Sequence, residues 1–388
     1  MKKDYIFTPG PTPVPPDVAL SQAGMVHHRS GDFGMILERV LDSLKYVFRT
    51  MNDVILLTSS GTGAMEAAVA NCFSPGDKVI VFSGGKFGER FVDITRIFGL
   101  NVIVSEYEWG NCADPEECER LLAENPDTKG VFLTHSETST GVVNDVEAFG
   151  RIVSKTDALL IVDAISSLGA VEFRCDAWNV DLAISGSQKA LMTPPGLAFV
   201  TVSEKVWKAI DTSTLPRYYF CFKTARKSQT KNPPQTPYTP AITLVQALDK
   251  ALRMIREEGL ENIYERHRIH AEATRAGVRA LGLELFAKEH SRANVCTSVI
   301  SPQGIDSREL VRLLRTKYGV FIAGGQGKLK GKIFRLGHVG YFDHFDIITQ
   351  ISALELGLIE LGYKFEISSG VSACIKSLYE SGTLRSDS

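Results

Sequence analysis

One lysine stands between two apolar runs near the middle of the chain. Lys189 follows residues 181–185 and precedes residues 196–203, and both runs are typical of buried strands. Burial disfavours the charged ammonium, so it lowers the pKa of a lysine and makes a neutral amine available near neutral pH. Such an amine forms a Schiff base with an aldehyde, and pyridoxal phosphate is the common protein-bound aldehyde of this kind. For this stretch alone, the alternative is a surface lysine in a loop.

A second stretch has residue types that suit a phosphate group. Ser60, Gly61 and Thr62 separate a short apolar run, 54–58, from a strong helix-forming run, 64–70. Free N–H groups at a helix N-terminus attract anions, glycine allows close approach of the backbone, and hydroxyls add donors. A Walker loop is excluded because no GxxxxGK[ST] is present, and the dinucleotide fingerprint also fails. The alternative is an ordinary strand–helix turn without a ligand.

Three further side chains stand where that chemistry would need them. Asp163 ends an apolar run and could pair with a protonated pyridine nitrogen, unless it caps a helix or forms a structural ion pair. Arg335 lies in an apolar run, 332–336, and could bind the α-carboxylate of an amino acid, unless an internal carboxylate pairs with it. Phe87 could stack on a pyridine ring, although phenylalanine is more often a core residue.

The composition excludes several classes of protein. Lys plus Arg is 43 and Asp plus Glu is 45, so nothing indicates binding to nucleic acid or to an anionic membrane. No apolar run reaches the ~20 residues of a transmembrane helix, and the N-terminus lacks an apolar signal core. Seven scattered cysteines without a CxxC pair predict reduced thiols, a cytoplasmic location and no metal site.

The elements that must position these residues alternate between strands and helices. Strands are predicted at 79–83, 102–106, 130–135, 158–165, 182–187 and 197–202, and helices at 33–48, 87–98, 114–124 and 145–155. Wholly apolar strands separated by amphipathic helices predict a parallel sheet covered on both faces. The last two strands are expected to form a hairpin around Lys189, and the segment 212–240 is predicted to be irregular.

The chain is long enough for a large domain and a smaller one. We predict an extended N-terminal arm over residues 1–20, a large domain over 21–258 and a small α/β domain over 259–365. Its helices are expected near 261–281, 306–317 and 343–361, and its strands near 295–300 and 332–336, after a long helix from 241 to 256. The tail, 366–388, is predicted to be partly disordered.

Taken together, these stretches resemble the class V pyridoxal-phosphate-dependent aminotransferases, and most closely their serine–pyruvate and alanine–glyoxylate branch. The resemblance runs in order from about residue 5 to 365 and is carried by residues 8–11, 60–68, 134–141, 162–163, 185–190 and 334–337. It implies an α/β fold, the fold type I of pyridoxal-phosphate transferases. The large domain would hold a mostly parallel seven-stranded sheet, and a homodimer would share its active sites.

The resemblance also assigns roles by position. It places Lys189 at the Schiff base and the proton transfer, and Asp163 at the pyridine nitrogen. Cofactor contacts would come from Ser60, Gly61, Thr62 and Gln188 at the phosphate, from Phe87 as the stacking ring, and from Thr138 near the cofactor ring. Arg335 would hold the substrate carboxylate. Tyr238 and Thr239, in a loop over 235–239, would reach the neighbouring subunit's phosphate.

The activity implied is ping-pong transfer of an amino group from alanine or serine to glyoxylate or pyruvate. A cysteine-desulfurase-like lyase is the first alternative, but that branch usually has histidine before the lysine and a cysteine on a loop of the small domain. Here Gln188 precedes the lysine, and residues 324–331 contain no cysteine. A phosphonate-amine transaminase would need another cationic group to bind its substrate, and none is evident. A non-catalytic subunit of a larger complex is the last alternative, although it would not need all of these residues.

Overall fold

The computed structural model describes residues 3–382. Its strands are β1 (Tyr5–Ile6), β2 (Asp53–Thr58), β3 (Lys78–Ser83), β4 (Asn101–Glu106), β5 (Gly130–Thr134), β6 (Ser136–Glu137), β7 (Val142–Val143), β8 (Leu159–Asp163), β9 (Leu182–Gly186), β10 (Leu197–Val202), β11 (Cys296–Ile300), β12 (Val320–Phe321), β13 (Ala323–Gly324) and β14 (Ile333–Gly337). Its α-helices are α1 (Pro16–Leu20), α2 (Gly31–Phe48), α3 (Gly61–Cys72), α4 (Lys86–Ile97), α5 (Pro115–Glu124), α6 (Val146–Val153), α7 (Glu204–Thr212), α8 (Phe222–Gln229), α9 (Ile242–Glu258), α10 (Leu260–Ala280), α11 (Ser307–Leu313), α12 (His344–Glu360) and α13 (Ser369–Glu380).

A seven-stranded sheet forms the centre of the larger part of the molecule, in the order β2-β10-β9-β8-β5-β3-β4. All neighbouring strands are parallel except β10, which runs antiparallel to both β2 and β9. The mostly parallel sheet is therefore confirmed. The predicted hairpin is confirmed too, since Ala198 of β10 lies opposite Gly186 of β9, and Lys189 lies in the connection between these strands.

Helices cover both faces of this sheet, as the apolar strands predict. Along β8, Leu160 and Val162 belong to one core cluster, whereas Leu159 and Ile161 belong to another on the opposite face. This alternation follows from the two-residue period of a strand. Each fully buried aliphatic side chain contributes about 1.5–3 kcal/mol, so a strand buried on both faces is held firmly in place. The strand ends that carry polar side chains are thereby fixed.

A second core, separate from the two clusters that flank the large sheet, lies in the C-terminal part of the chain. The strands β11, β14 and β13 form an antiparallel sheet on which α10 and α12 pack. Gly259, with φ of +81°, separates α9 from α10. Leu260 and Ile263, at the start of α10, still pack in the core of the large sheet, so the domain boundary after residue 258 stays a prediction. Phe7 of the N-terminal arm is buried in this second core, and β1 pairs with β12.

Three expectations about less regular segments differ from the structure. The arm over 1–20 is not extended throughout, because α1 begins at Pro16, where proline suits the first helical turn. The segment 212–240 is not wholly irregular, because α8 buries Phe222, Ala225 and Gln229 at helical spacing. The tail over 366–388 contains α13, which buries Cys374 and Leu378. Residues 383–388 lie outside the described residues, so the predicted disorder at the end of the tail stays a prediction.

Among residues 3–382, no helix combines the length and the apolar character that crossing a membrane requires.

Candidate active site

The predicted catalytic residues meet at one edge of the large sheet. The strands β2, β8 and β9 run in the same direction, so their carboxyl ends lie together, where ligands bind in open α/β sheets. A cavity of about 200 Å³ opens at this edge. The predicted site residues that line it are Ser60, Gly61, Thr62, Phe87, Asp163, Gln188 and Lys189. The structure therefore brings these residues together from four separate stretches of sequence.

Lys189 is buried, with 9% of its surface exposed. Its Nζ donates a hydrogen bond to the carbonyl oxygen of Pro9 at 2.7 Å, which places the N-terminal arm directly against the amine. Burial lowers the pKa of Lys189 to about 8, and the nearby cations Arg335 and Arg90 also lower it, while Asp163 opposes them. Gly10 approaches so closely that a Cβ there would lie 2.5 Å from Lys189 Nζ. The amine is thus closely packed and largely buried, and it is neutral in a substantial fraction of molecules near pH 8.

Asp163 ends β8 with 3% of its surface exposed. Its Oδ1 accepts a hydrogen bond from Ile165 N at 2.8 Å, and no cation lies within ion-pair distance among residues 3–382. Burial raises the pKa of Asp163 to about 6, an effect that the Ile165 N–H opposes. The carboxyl group therefore faces the cavity without a partner for its charge. A cationic ring nitrogen in the cavity would supply that partner.

The N-terminus of α3 forms another wall of the cavity. Ser60 caps the helix, and its Oγ accepts a hydrogen bond from Gly63 N at 3.4 Å. Glycine fits closely at position 61, because a Cβ there would lie 2.4 Å from Ile165 Cδ1 and the Ile165 side chain would have to shift. The N–H groups of Gly61 and Thr62 have no hydrogen-bond partner in the described part of the chain. Together with the hydroxyls of Ser60 and Thr62 they can bind a phosphate.

Phe87 lies in the first turn of α4, and a buried glutamate holds that turn. Glu137 is 1% exposed, and its Oε2 accepts hydrogen bonds from Phe87 N and Gly88 N, both at 3.0 Å. Its Oε1 accepts from Ser139 N and Ser139 Oγ, and Ser139 Oγ in turn accepts from Lys86 N. These bonds use the free N–H groups that begin α4. They hold the backbone from which the Phe87 side chain reaches the cavity.

Thr138 and Arg335 lie beside the cavity and contact each other. Arg335 is 5% exposed, and its Nη1 donates to Thr138 O at 2.9 Å, while Nε and Nη2 donate to Gly324 O. The hydroxyl of Thr138 donates to Ser166 Oγ, a cavity-lining atom, at 2.6 Å. None of the ion pairs in residues 3–382 includes Arg335, so the internal salt bridge considered as the alternative is not formed there. Burial lowers its pKa from the ordinary value.

Tyr238 and Thr239 are not brought to the cavity that Lys189 lines. They line a separate pocket with Tyr219, whose ring stacks on Tyr238 at a centroid distance of 5.3 Å. Tyr238 Oη also donates to Tyr218 O at 3.2 Å. In the described part of the chain, no hydrogen bond joins either residue to another of the predicted site residues.

Several unpartnered polar atoms in the cavity test whether a cofactor fits. Gln188 Oε1 and Ser136 Oγ are buried without a hydrogen-bond partner within the described residues, and both side chains line the cavity. Such atoms are costly unless a ligand or water satisfies them. A pyridoxal phosphate offers acceptors for the Ser136 hydroxyl and for the N–H groups that begin α3, a cationic nitrogen for Asp163 and an aldehyde for Lys189. Because Gln188 Oε1 can only accept, the Gln188 amide would bind the phosphate through its N–H groups after rotation of the side chain. The donor set and its charges fit that group. No cluster of three metal-ligating side chains occurs in residues 3–382.

Sequence reasoning missed three contributors to the site. Arg90 lines the cavity one helical turn after Phe87, and that i, i+3 spacing was the available signal. Glu137 was part of a recognised stretch, but its role depends on the start of α4, which only the fold places beside it. The Pro9 carbonyl was missed because nothing in an arm of prolines predicts contact with a residue 180 positions away.

Comparisons with known proteins agree with this arrangement. Residues 6–332 match the family model described as "Aminotransferase class-V". A relative from Synechococcus sp., named "Soluble hydrogenase, small subunit", is 44% identical over 97% of this chain and 98% of the relative. A serine–glyoxylate aminotransferase from Methylorubrum extorquens is 37% identical over 97% of this chain and 96% of its own length. The crystal structure of ureidoglycine–glyoxylate aminotransferase from Bacillus subtilis superposes with a TM-score of 0.94 at 32% identity, covering 98% of this chain and 99% of that one.

Proposed function

The chain belongs to the class V aminotransferase family, and from this premise we propose a pyridoxal-phosphate-dependent transaminase that moves an amino group from alanine or serine to glyoxylate or pyruvate. One observation carries the proposal. A buried lysine with a pKa of about 8 and a buried aspartate with a pKa of about 6 line one cavity beside an open helix N-terminus. Each of these groups is costly alone, and one cofactor would satisfy all of them.

The residues that would hold the cofactor can be named from the cavity. The Gly61 and Thr62 N–H groups, the hydroxyls of Ser60 and Thr62 and the Gln188 amide would bind its phosphate. Phe87 would pack on its ring, and Asp163 would pair with its ring nitrogen. When bound, the cofactor supplies an electron sink that stabilises negative charge at the substrate Cα. The chain itself supplies binding, orientation and proton transfer.

Lys189 has two tasks that its environment favours. Because burial brings its pKa to about 8, a neutral amine is available to bond covalently to an aldehyde. Once released, the same Nζ would take a proton from the substrate Cα as a general base and deliver it, as a general acid, to the cofactor carbon that carried the aldehyde. The Pro9 carbonyl, 2.7 Å from Nζ, gives the released amine a defined resting position. The arm also reduces access of water to the amine.

Arg335 would bind the α-carboxylate that both the amino acid and the 2-oxo acid carry. Its guanidinium is buried and donates to backbone carbonyls, with no carboxylate partner in residues 3–382. A buried cation without an anion is unfavourable, so a substrate carboxylate would be bound more tightly than in water. Both half-reactions need this contact, which explains how one site can accept donor and acceptor in turn.

The alternatives have weaker support. The chain lacks two features expected of the lyase: Gln188, not histidine, precedes Lys189, and residues 324–331 contain no cysteine. The reading as a subunit without catalysis draws on two cyanobacterial relatives whose names refer to a soluble hydrogenase. The buried, unpaired charges of the cavity argue against it, because a scaffold would gain stability by replacing them.

We further propose that the chain forms a homodimer with shared active sites and works in the cytoplasm. The position of Tyr238 and Thr239 in a separate pocket supports the first point, since these residues could serve the cofactor of a second copy. The second point draws on the cysteines, all of which are free in the described part of the chain and so suit a reducing compartment.

A substrate panel tests the proposed function. Purified protein loaded with pyridoxal phosphate is mixed with single amino acids, and the visible absorbance of the bound cofactor is followed. We expect alanine or serine to bleach this band and glyoxylate or pyruvate to restore it, with glycine or alanine released. Alanine formed from cysteine, with sulfide released by an added thiol reductant and without need of a 2-oxo acid, would indicate the lyase instead. A cofactor band unchanged by every amino acid would contradict both.

A further inference from the structure

The cavity has one cation for which the proposed function has no role. The groups expected to bind the cofactor phosphate, from Ser60, Gly61, Thr62 and Gln188, are all electrically neutral. A phosphate monoester carries about −1.5 to −2 charges near pH 7. Among the residues that line the cavity, the cations are Lys189 and Arg90, and Lys189 must be free to react as an amine. Arg90 is therefore the residue left to neutralise the phosphate.

The position of Arg90 agrees with this role. Its Nη1 donates to Thr62 Oγ1 at 3.0 Å, which brings the guanidinium to the wall predicted to bind the phosphate. Thr62 Oγ1 accepts that bond, so its own hydrogen is left to donate to an anion. No carboxylate lies within ion-pair distance of Arg90 in residues 3–382. Most of its five N–H donors remain available, and their planar fork matches a phosphate.

We propose that Arg90 binds the phosphate group of the cofactor directly, together with Thr62 at the start of α3. This inference rests on the proposed function. The buried carboxylate of Glu137 fixes the first turn of α4, and Arg90 follows one turn later. The two helices α3 and α4 thus present a hydroxyl and a guanidinium to the same anion. The arrangement also explains why a neutral loop can retain a dianionic group.

Arg90 has a second contact that suggests a different role. Its Cζ lies 4.9 Å from the centroid of the Phe87 ring, so it could act only by holding that ring against the cofactor. The two roles differ in what they require of the ligand. Phosphate binding needs the phosphate, whereas ring positioning affects any pyridoxal compound. Pyridoxal, which lacks the phosphate, separates them.

The test measures affinities of the cofactor-free protein for pyridoxal phosphate and for pyridoxal, from the absorbance change as each binds. Variants Arg90→Gln and Arg90→Lys are compared with Arg96→Gln, which removes an exposed arginine from the same helix. Loss of a charge-assisted bond predicts about 10- to 100-fold weaker binding of pyridoxal phosphate to Arg90→Gln. Arg90→Lys should be intermediate, and pyridoxal should bind all of them like the unmodified protein.

Equal losses for both ligands would overturn the proposal in favour of ring positioning, and unchanged affinity for pyridoxal phosphate would also overturn it. If the unmodified protein bound neither ligand, the proposed function itself would fail.

A second experiment uses the unmodified protein alone and needs no variant. Inorganic phosphate should protect Arg90 from phenylglyoxal, as read by peptide mass spectrometry, and should leave the modification of Arg96 unchanged. Absence of that protection would equally contradict the proposal.

Discussion

Replacing Asp163 by asparagine should stabilise the cofactor-free protein. The carboxyl group is buried at the end of β8 and has no cation at ion-pair distance among the described residues. Burial raises its pKa from the ordinary value of 3.8 to about 6. The native state therefore disfavours the ionised form. An asparagine keeps the oxygen that accepts from Ile165 N and removes the charge.

The size and sign of the effect follow from this pKa. Between pH 3.8 and about 6 the native protein binds more protons than the unfolded chain, so the free energy of unfolding falls as the pH rises. A pKa near 6 instead of 3.8 corresponds to about 3 kcal/mol, at about 1.36 kcal/mol for each tenfold change in proton binding. The cost is absent below pH 4 and fully present above pH 6. Asp163→Asn should match the original protein in acid and exceed its stability by about 3 kcal/mol at pH 8.

Urea denaturation of the cofactor-free proteins, followed by tryptophan fluorescence at several pH values from 4 to 8, measures this difference. Asp157→Asn serves as the control, since Asp157 is exposed before the other end of β8; its effect should not vary with pH. The variant should also lose affinity for pyridoxal phosphate. A difference that does not grow between pH 4 and 6, or an Asp163→Asn protein less stable at pH 8, would refute the reasoning.

Three further variants test other parts of the site. Gly61→Ala places a Cβ 2.4 Å from Ile165 Cδ1 and should lower the free energy of unfolding, measured with urea, by about 1–3 kcal/mol. The control Gly24→Ala, at a position with no atom within 4 Å of the added Cβ, should lower it little. Equal effects of the two variants would contradict the close packing at Gly61. Glu137→Gln places an amide N–H against the Ser139 donors and should weaken binding of pyridoxal through Phe87, and of pyridoxal phosphate at least as much, because Arg90 follows in the same helix; unchanged binding of both would remove its positioning role. Arg335→Gln should raise KM for alanine and glyoxylate about 10-fold or more, and an effect on only one of them would show that the carboxylate contact is not shared.

The sequence was most informative where a charged residue stands in or beside an apolar stretch. Asp163 at the end of an apolar strand, and Lys189 between two such strands, are unfavourable unless they have a function, and both line the same cavity. The sheet was equally predictable, because wholly apolar strands alternate with amphipathic helices. The antiparallel direction of β10 also followed from the short connection after β9, which cannot form a parallel crossover.

Contacts between distant segments were not predictable in the same way. The hydrogen bond from Lys189 to the Pro9 carbonyl joins the arm to the large sheet, and no local pattern in either segment encodes it. The helix α13 was missed for a related reason, since its polar residues hide the few side chains, such as Cys374 and Leu378, that pack on the second core. The phosphate-binding role of Arg90 was not predicted, because it depends on the lack of positive side chains at the N-terminus of α3, which only the fold places opposite Arg90.

The central claim is that the amine of Lys189 bonds covalently to pyridoxal phosphate, and trapping that bond tests it most directly. The protein is incubated with the cofactor, reduced with borohydride and digested, and the peptides are examined by mass spectrometry. The cavity predicts one dominant phosphopyridoxyl group, on the peptide that contains Lys189, and its loss in Lys189→Ala. Modification spread over exposed lysines, with the Lys189 peptide unmodified, would contradict the account.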